Sequence, residues 1–171
     1  MTDPLLALKN TMHAAAQAID EPAAIEMVLK KIAFLTGSAS AYIFAPNRYT
    51  PSTQPAHGIA QDYGMQFQFG MPESFFADYQ ARVWKMDPWS EQFPKHLPKI
   101  LLQGGFIGTE LVSSAHLRSS EFYADYLRPE LGMYQMMSTT LSNGHVLSMM
   151  RSGQAKTYDT EMLKFTGQFK I

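Results

Sequence analysis

The sequence predicts an α+β fold, a sandwich of helices around an antiparallel sheet. Three observations lead there. Apolar residues recur every three or four positions in two N-terminal stretches, the signature of helices with one buried face. An Asn143-Gly144 pair stands between two runs of strand-like residues and predicts a β-hairpin. The order of elements reads helix, helix, strand, loop, strand, helix, irregular segment, helix, hairpin, helix, which lacks the strand–helix alternation of a parallel sheet.

Asp3-Pro4 opens the first helix, with Leu5, Leu8, Met12, Ala15 and Ile19 along one face. That stripe spans about two heptads, too few for a coiled coil. Asp20 is placed to cap a second helix with Pro22 in its first turn; Ile25, Val28, Leu29, Ile32 and Leu35 form its apolar face, and Gly37 is a natural stop. Ala39 to Ala45 reads as a strand buried on both faces. Pro46 to Pro55 is turn-rich and polar, and Tyr63 to Phe69 alternates weakly as a second strand. Pro72 opens a helix running to about Val83 with Phe75, Phe76 and Tyr79 on one side. Prolines 88, 94 and 98 predict that Asp87 to Pro98 is not one regular helix. Ser119 or Ser120 is expected to cap a short helix whose Phe122, Tyr123, Tyr126 and Leu127 share a face.

A two-residue turn at Asn143-Gly144 would pair Leu141 with Val146, Thr139 with Ser148 and Met137 with Met150. Neither resulting sheet face is wholly polar, so both should be covered. Small hydroxyl residues in mid-strand would leave space above the sheet for a ligand or for helix side chains. A last helix begins near Asp159, with Met162, Leu163 and Phe165 as its apolar contacts.

The 171 residues fit one domain, 1–171, large enough for a real core. Charged residues are 17% against 46% hydrophobic, and the formal net charge is −1, so no basic stripe offers itself to nucleic acid. There is no cysteine, which excludes disulfides, thiolate metal sites and cysteine nucleophiles. No apolar run has membrane-spanning length and no signal peptide is legible, so a cytoplasmic location is expected. Twelve methionines, several of them in the C-terminal third, suit an adaptable core.

Catalytic motifs are missing. The five histidines lie apart from helical ligand spacing, and no metal or other cofactor is expected. Gly104-Gly105-Phe106-Ile107-Gly108 lacks the lysine of a phosphate loop and the features of a dinucleotide fingerprint. Glu121 and Asp125 lie one turn apart but are flanked by Arg118 and Arg128, which predicts surface ion pairs. The chain is therefore not expected to be an enzyme.

One region stands out. Between Pro72 and Trp89 five aromatic residues, Phe75, Phe76, Tyr79, Trp84 and Trp89, surround Asp87. Apolar walls with a few placed polar groups are how small-molecule sites are built. Asp87 precedes Pro88, which drives it out of helical conformation and makes it the end of the Pro72 helix. Two readings stand side by side: Asp87 as a turn or cap residue, or Asp87 as an acceptor for a ligand N–H or O–H.

Two segments resemble LuxR-type transcription regulators. Pro72-x-x-Phe75-x-x-x-Tyr79, followed eight residues later by Asp87-Pro88, is similar to the ligand-pocket segment of autoinducer-binding domains. That resemblance implies that Phe75 and Tyr79 are pocket walls and that Asp87 is the hook for an amide N–H. Phe75 stands where that family typically has tryptophan. Gly108-Thr109-Glu110-Leu111-Val112 and the stretch from Leu117 to Pro129 resemble the sensor region of another group of LuxR-type regulators. The resemblance implies an α/β/α, GAF/PAS-like sandwich that binds a small molecule. Trp84 and Trp89, whose indole N–H groups could match the Asp87 acceptor, join Phe75, Tyr79 and Asp87 as the candidate ligand-binding residues. The resemblance also implies a homodimer that reaches DNA through a helix-turn-helix domain C-terminal to this segment. The alternative is a ligand-free dimerisation or protein-interaction module.

Overall fold

A computed structural model describes residues 6–7, 10, 22–46, 63–128, 132–141 and 145–167. The first predicted helix and the loop after residue 46 lie almost wholly outside these residues.

Helix α1, Pro22–Thr36, buries Ile25, Leu29, Ile32 and Ala33, which fall on one face at the spacing the sequence predicts. It stops at Gly37, whose φ of 64° is the left-handed C′ conformation; the Gly37 N–H donates to Phe34 O and the Ser38 N–H to Ala33 O. Strands β1, Ser40–Pro46, and β2, Tyr63–Phe69, follow as predicted and pair antiparallel. The sheet is completed by β3, Gly105–Ile107, β4, Met133–Thr140, and β5, Val146–Ser152, in the order β2-β1-β5-β4-β3. All neighbours pair antiparallel.

Helices cover both faces, giving the expected α/β/α layers. On one face α1 and the last helix, α6 (Thr160–Gly167), pack over Ala41, Ile107, Met137, Leu141, Leu147 and Met149. On the other lie α2 (Glu73–Ala81), α3 (Pro88–Gln103), the short α4 (Gly108–Leu111) and α5 (Ser114–Ser119), and a π-helical stretch, Phe122–Leu127. Asp159 starts α6, its carboxylate accepting from Met162 N–H at 2.9 Å.

Four expectations change. The Pro72 helix ends at Ala81, and a 3₁₀ turn, Val83–Met86, leads to Asp87. Prolines 88, 94 and 98 sit within one helix instead of an irregular stretch. Pro88 occupies the first turn, where its missing N–H has no intrahelical partner to lose. Pro94 and Pro98 each remove one interior bond, but they stand four apart on one stripe with Pro98 exposed. A cap at Asp87 and the left-handed Gly104 (φ 74°) fix the two ends, and buried Trp89 and Ile100 hold the helix down.

The hairpin register is the third. The observed pairs are Thr140–Val146, Ser138–Ser148, Met137–Met149 and Met136–Met150, one residue away from the predicted ones. Leu141 N–H donates to His145 O at 2.7 Å, so three residues separate this pair; 142–144 lie outside the described residues. A one-residue slip sends every side chain of one strand to the other face. Here it aligns Met137 with Met149, both 0% exposed, and Ser138 with Ser148. Matching of cross-strand neighbours outweighs the turn signal. The predicted ion pairs are also replaced: Arg118 Nε donates to Ser114 O, and its guanidinium lies 5.5 Å from the Tyr134 ring centre.

Candidate ligand-binding cavity

The side of β1, β4 and β5 that lies under α2 and α3 forms the floor of a cavity. Tyr42 and Phe44 come from β1, Met136 and Ser138 from β4, and Val146, Ser148 and Met150 from β5. Phe106 of β3 closes one side. The roof is built by Phe75, Phe76 and Tyr79 of α2, Asp87, then Trp89 and Ser90 of α3, and Phe122 and Leu127 of the π-helical stretch. The space is narrow, about 50 Å³, enough for a few water molecules.

Local sequence explains how the roof is aimed. The π turn places Phe122 and Leu127, five residues apart, on the same inward side, and both are buried. Ser120 Oγ accepts from Tyr123 N–H at 3.2 Å, the capping role expected of that serine pair. Tyr126 lies against the Phe75 ring with centroids 4.4 Å apart, and its hydroxyl donates to Phe75 O. Gly108 is small for a reason: a Cβ there would stand 3.0 Å from the Trp89 indole nitrogen, which donates to Gly108 O at 3.2 Å.

Asp87 is 6% exposed and does two things at once. Its Oδ1 accepts from Trp89 N–H at 2.8 Å, capping α3. Its Oδ2 accepts from the Tyr79 hydroxyl at 2.5 Å. The two sequence readings are thus not alternatives; one side chain is both a cap and a cavity-lining acceptor. It begins α3 instead of ending the Pro72 helix. Burial pushes its carboxyl up to about 6, against the lowering effect of the Tyr79 hydroxyl and the Trp89 and Ser90 backbone N–H groups. Burial, with the nearby carboxylate, also holds the Tyr79 and Tyr42 phenols neutral. The Ser90 hydroxyl is buried beside the Tyr79 phenol, toward which it can donate while its lone pairs stay open to the cavity. On the floor, Ser138 and Ser148 share one hydrogen bond at 2.7 Å. Ser148 also faces the Tyr42 phenol, so the pair's spare capacity is mainly acceptor lone pairs.

Of the predicted site residues, Phe75, Tyr79, Asp87 and Trp89 line the cavity together. Trp84 does not. It lies in the 3₁₀ turn, half-buried, with Lys85 Nζ 5.9 Å from its ring centre. The sequence reading missed Tyr42, Phe106, Phe122 and the serine pair. Alternation along Ser40–Pro46 carried a signal for Tyr42 and Phe44, but the register error placed Ser138 and Ser148 on opposite faces. Among the described residues there is no cluster of metal-binding side chains, and no helix is long and apolar enough to cross a membrane.

A five-stranded antiparallel sheet with helices on both faces and a cavity under one helical layer defines an α+β domain of known shape. Its fold is shared with SdiA. A solved structure described as SdiA in complex with octanoyl-rac-glycerol matches with a TM-score of 0.60 and 15% identity, over 99% of this chain and 64% of that one. A crystal structure of Escherichia coli SdiA matches with a TM-score of 0.57 and 14% identity, over 95% of this chain and 64% of that one. The chain thus spans somewhat under two thirds of the length of these structures. No family model and no curated protein sequence matches it.

Proposed function

We propose that this domain is the sensory part of a LuxR-type transcription regulator and binds a small amphiphile in the cavity beneath α2 and α3. The observation that carries the reading is the buried Asp87 carboxylate on an otherwise mainly apolar and aromatic wall. A carboxylate has about four acceptor sites, of which the Tyr79 hydroxyl and the Trp89 and Ser90 backbone N–H groups engage three. A ligand N–H or O–H completes the set, while aromatic walls take its apolar body. The fold supports the reading, since SdiA is a LuxR-type autoinducer-binding regulator. Octanoyl-glycerol, present in an SdiA structure, has a donor-bearing head on a slim chain; a cavity of about 50 Å³ takes such a guest only as the aromatic roof over it moves apart. The helices on both faces of the sheet support the GAF/PAS-like label in that broad sense.

In this reading the domain is cytoplasmic, lacks catalytic activity, works as a homodimer and controls a DNA-binding domain C-terminal to it. Ligand acts by binding one state of the dimer better than the other. Phe34 and Met27, 83% and 70% exposed and seven residues apart on α1, support that helix as the dimer surface. The same stripe favours the second reading, a dimerisation module that needs no ligand.

Thermal unfolding with and without 1-octanoylglycerol and acyl-lactones separates the two. A sensor gains several degrees at saturating ligand, and a bulky Ser148→Phe substitution in the floor abolishes the gain. A melting temperature indifferent to every such compound supports the ligand-free module.

A further inference from the structure

The cavity wall has one formal charge and much aromatic surface, and that combination says more about the guest than its polarity does. Among the lining residues Asp87 is the single ionisable group carrying charge, and no lysine, arginine or histidine faces it. The titratable neighbours are Tyr79 of α2 and Tyr42 of β1, both kept neutral. The Asp87 carboxylate therefore has dipolar partners, the Tyr79 hydroxyl and the Trp89 and Ser90 N–H groups at the start of α3, and no counter-ion among the lining residues. Around it the rings interlock. Phe122 lies 6.4 Å from Tyr79 and 6.1 Å from Trp89, centre to centre, and Tyr126 joins them at 5.7 Å from Phe122.

Resting on the proposal that this cavity is a ligand site, we infer that its preferred guest is a cationic amphiphile: a protonated primary amine on a slim alkyl or aryl body. An ammonium supplies the missing counter-charge to Asp87 through a charge-assisted hydrogen bond. The aromatic lining adds to this wherever a ring presents its face to the ammonium, as aromatic cages do. An anionic head meets the reverse, a like charge and ring faces with no base to receive it. A neutral head gains the hydrogen bond alone. The Ser90 hydroxyl offers a further acceptor for an ammonium hydrogen.

The chain carries two tryptophans, so Trp84→Phe leaves Trp89, in the cavity wall, as the single fluorescent reporter. Octylamine, 1-octanol, octanoate and 1-octanoylglycerol are titrated into this variant at pH 7.5. Octylamine is expected to bind about tenfold tighter than octanol, the difference between a charge-assisted and a neutral hydrogen bond, and octanoate weakest. On lowering the pH to 5 the carboxyl takes up a proton and the amine loses its advantage, while octanol binding stays constant. Asp87→Asn removes the same advantage at pH 7.5, and the pH titration answers alone if that variant does not fold. Octanol or octanoylglycerol binding as tightly as octylamine at pH 7.5, or octanoate binding best, overturns the inference and leaves the cavity a ligand site. Silence of Trp89 toward all four compounds removes the ligand site and the inference with it.

Discussion

The two faces of the sheet are built from different materials. The face under α1 and α6 is largely aliphatic: Ile25, Leu29 and Ile32 meet Leu147, Met137 and Met149, most of them under 4% exposed. Branched and flexible side chains interdigitate at any angle, so such a face can be filled. The face under α2 and α3 is aromatic, with Tyr42, Phe44, Phe75, Phe76, Trp89, Phe106, Phe122 and Tyr126 in one cluster. Flat rings meet edge to face, as Tyr42 and Phe76 do at 65° and 5.1 Å, and such contacts leave slots between them. Polar groups are buried on both sides but differ in kind. The acid and the serine pair lie on the aromatic side. The aliphatic side has Thr36 and Thr166 bonded back to their own helices and, among the described residues, one buried cation at its margin, where Arg151 donates to Thr36 O at the C-terminus of α1 and covers Tyr158 at 4.0 Å. One face is packed through, and the other keeps a narrow cavity.

The largest expected effect tests that division directly. Met149→Ala, at 0% exposure on the aliphatic face, should cost about 2–5 kcal/mol in urea unfolding. Met136→Ala borders space that already exists and should cost distinctly less. Equal costs would mean that the two faces are packed alike.

Next in size is pH. The Asp87 carboxyl stands at about 6 in the fold against 3.8 for an ordinary aspartate, so the folded chain holds its proton more tightly than the unfolded one. Its contribution to stability is full below pH 3.8 and is lost as pH rises through about 6. That loss is on the order of 2–3 kcal/mol, and the stability of the wild type relative to Asp87→Asn should fall by this amount between pH 4 and pH 7. A difference independent of pH would show that the carboxyl is solvated like a surface acid.

The smallest effect concerns the floor. Ser148→Ala strands the Ser138 hydroxyl and should cost about 1 kcal/mol. Removing both serines should cost less than the two single changes added together. Strict additivity in a double-mutant cycle would separate the pair.

Much of this was legible in the sequence. The α1 stripe, the two strands after it and the Asp159 helix all follow from periodicity and caps, because those signals are local. The aromatic run between Pro72 and Trp89 likewise pointed to the cavity, since α2 and α3 are neighbours in the chain. What was not legible is what long-range pairing decides. Asn143-Gly144 argued for a two-residue turn, but the partners of Met137 and Ser138 set the register, and those partners depend on what covers each face. Pro94 and Pro98 argued against a helix whose ends and packing override them. Trp84 resembled its neighbours in composition, but the 3₁₀ turn that carries it leaves it half-buried and outside the cavity lining. Phe106 and Phe122 gave no local sign of converging on Asp87.

The double duty of Asp87 has a consequence for how such a domain can change over time. The carboxylate that would meet a guest is also the one that starts α3, so replacing it withdraws a cap as well as a contact. Loss of recognition and loss of fold arrive in the same mutation, and a drifting lineage is penalised twice for leaving aspartate. Neighbouring positions are free of that tie. Ser90 caps nothing and Phe122 packs by its ring alone, so either can be exchanged without unravelling a helix start. New specificities in domains of this shape should therefore accumulate around a fixed acid, in the residues that face it.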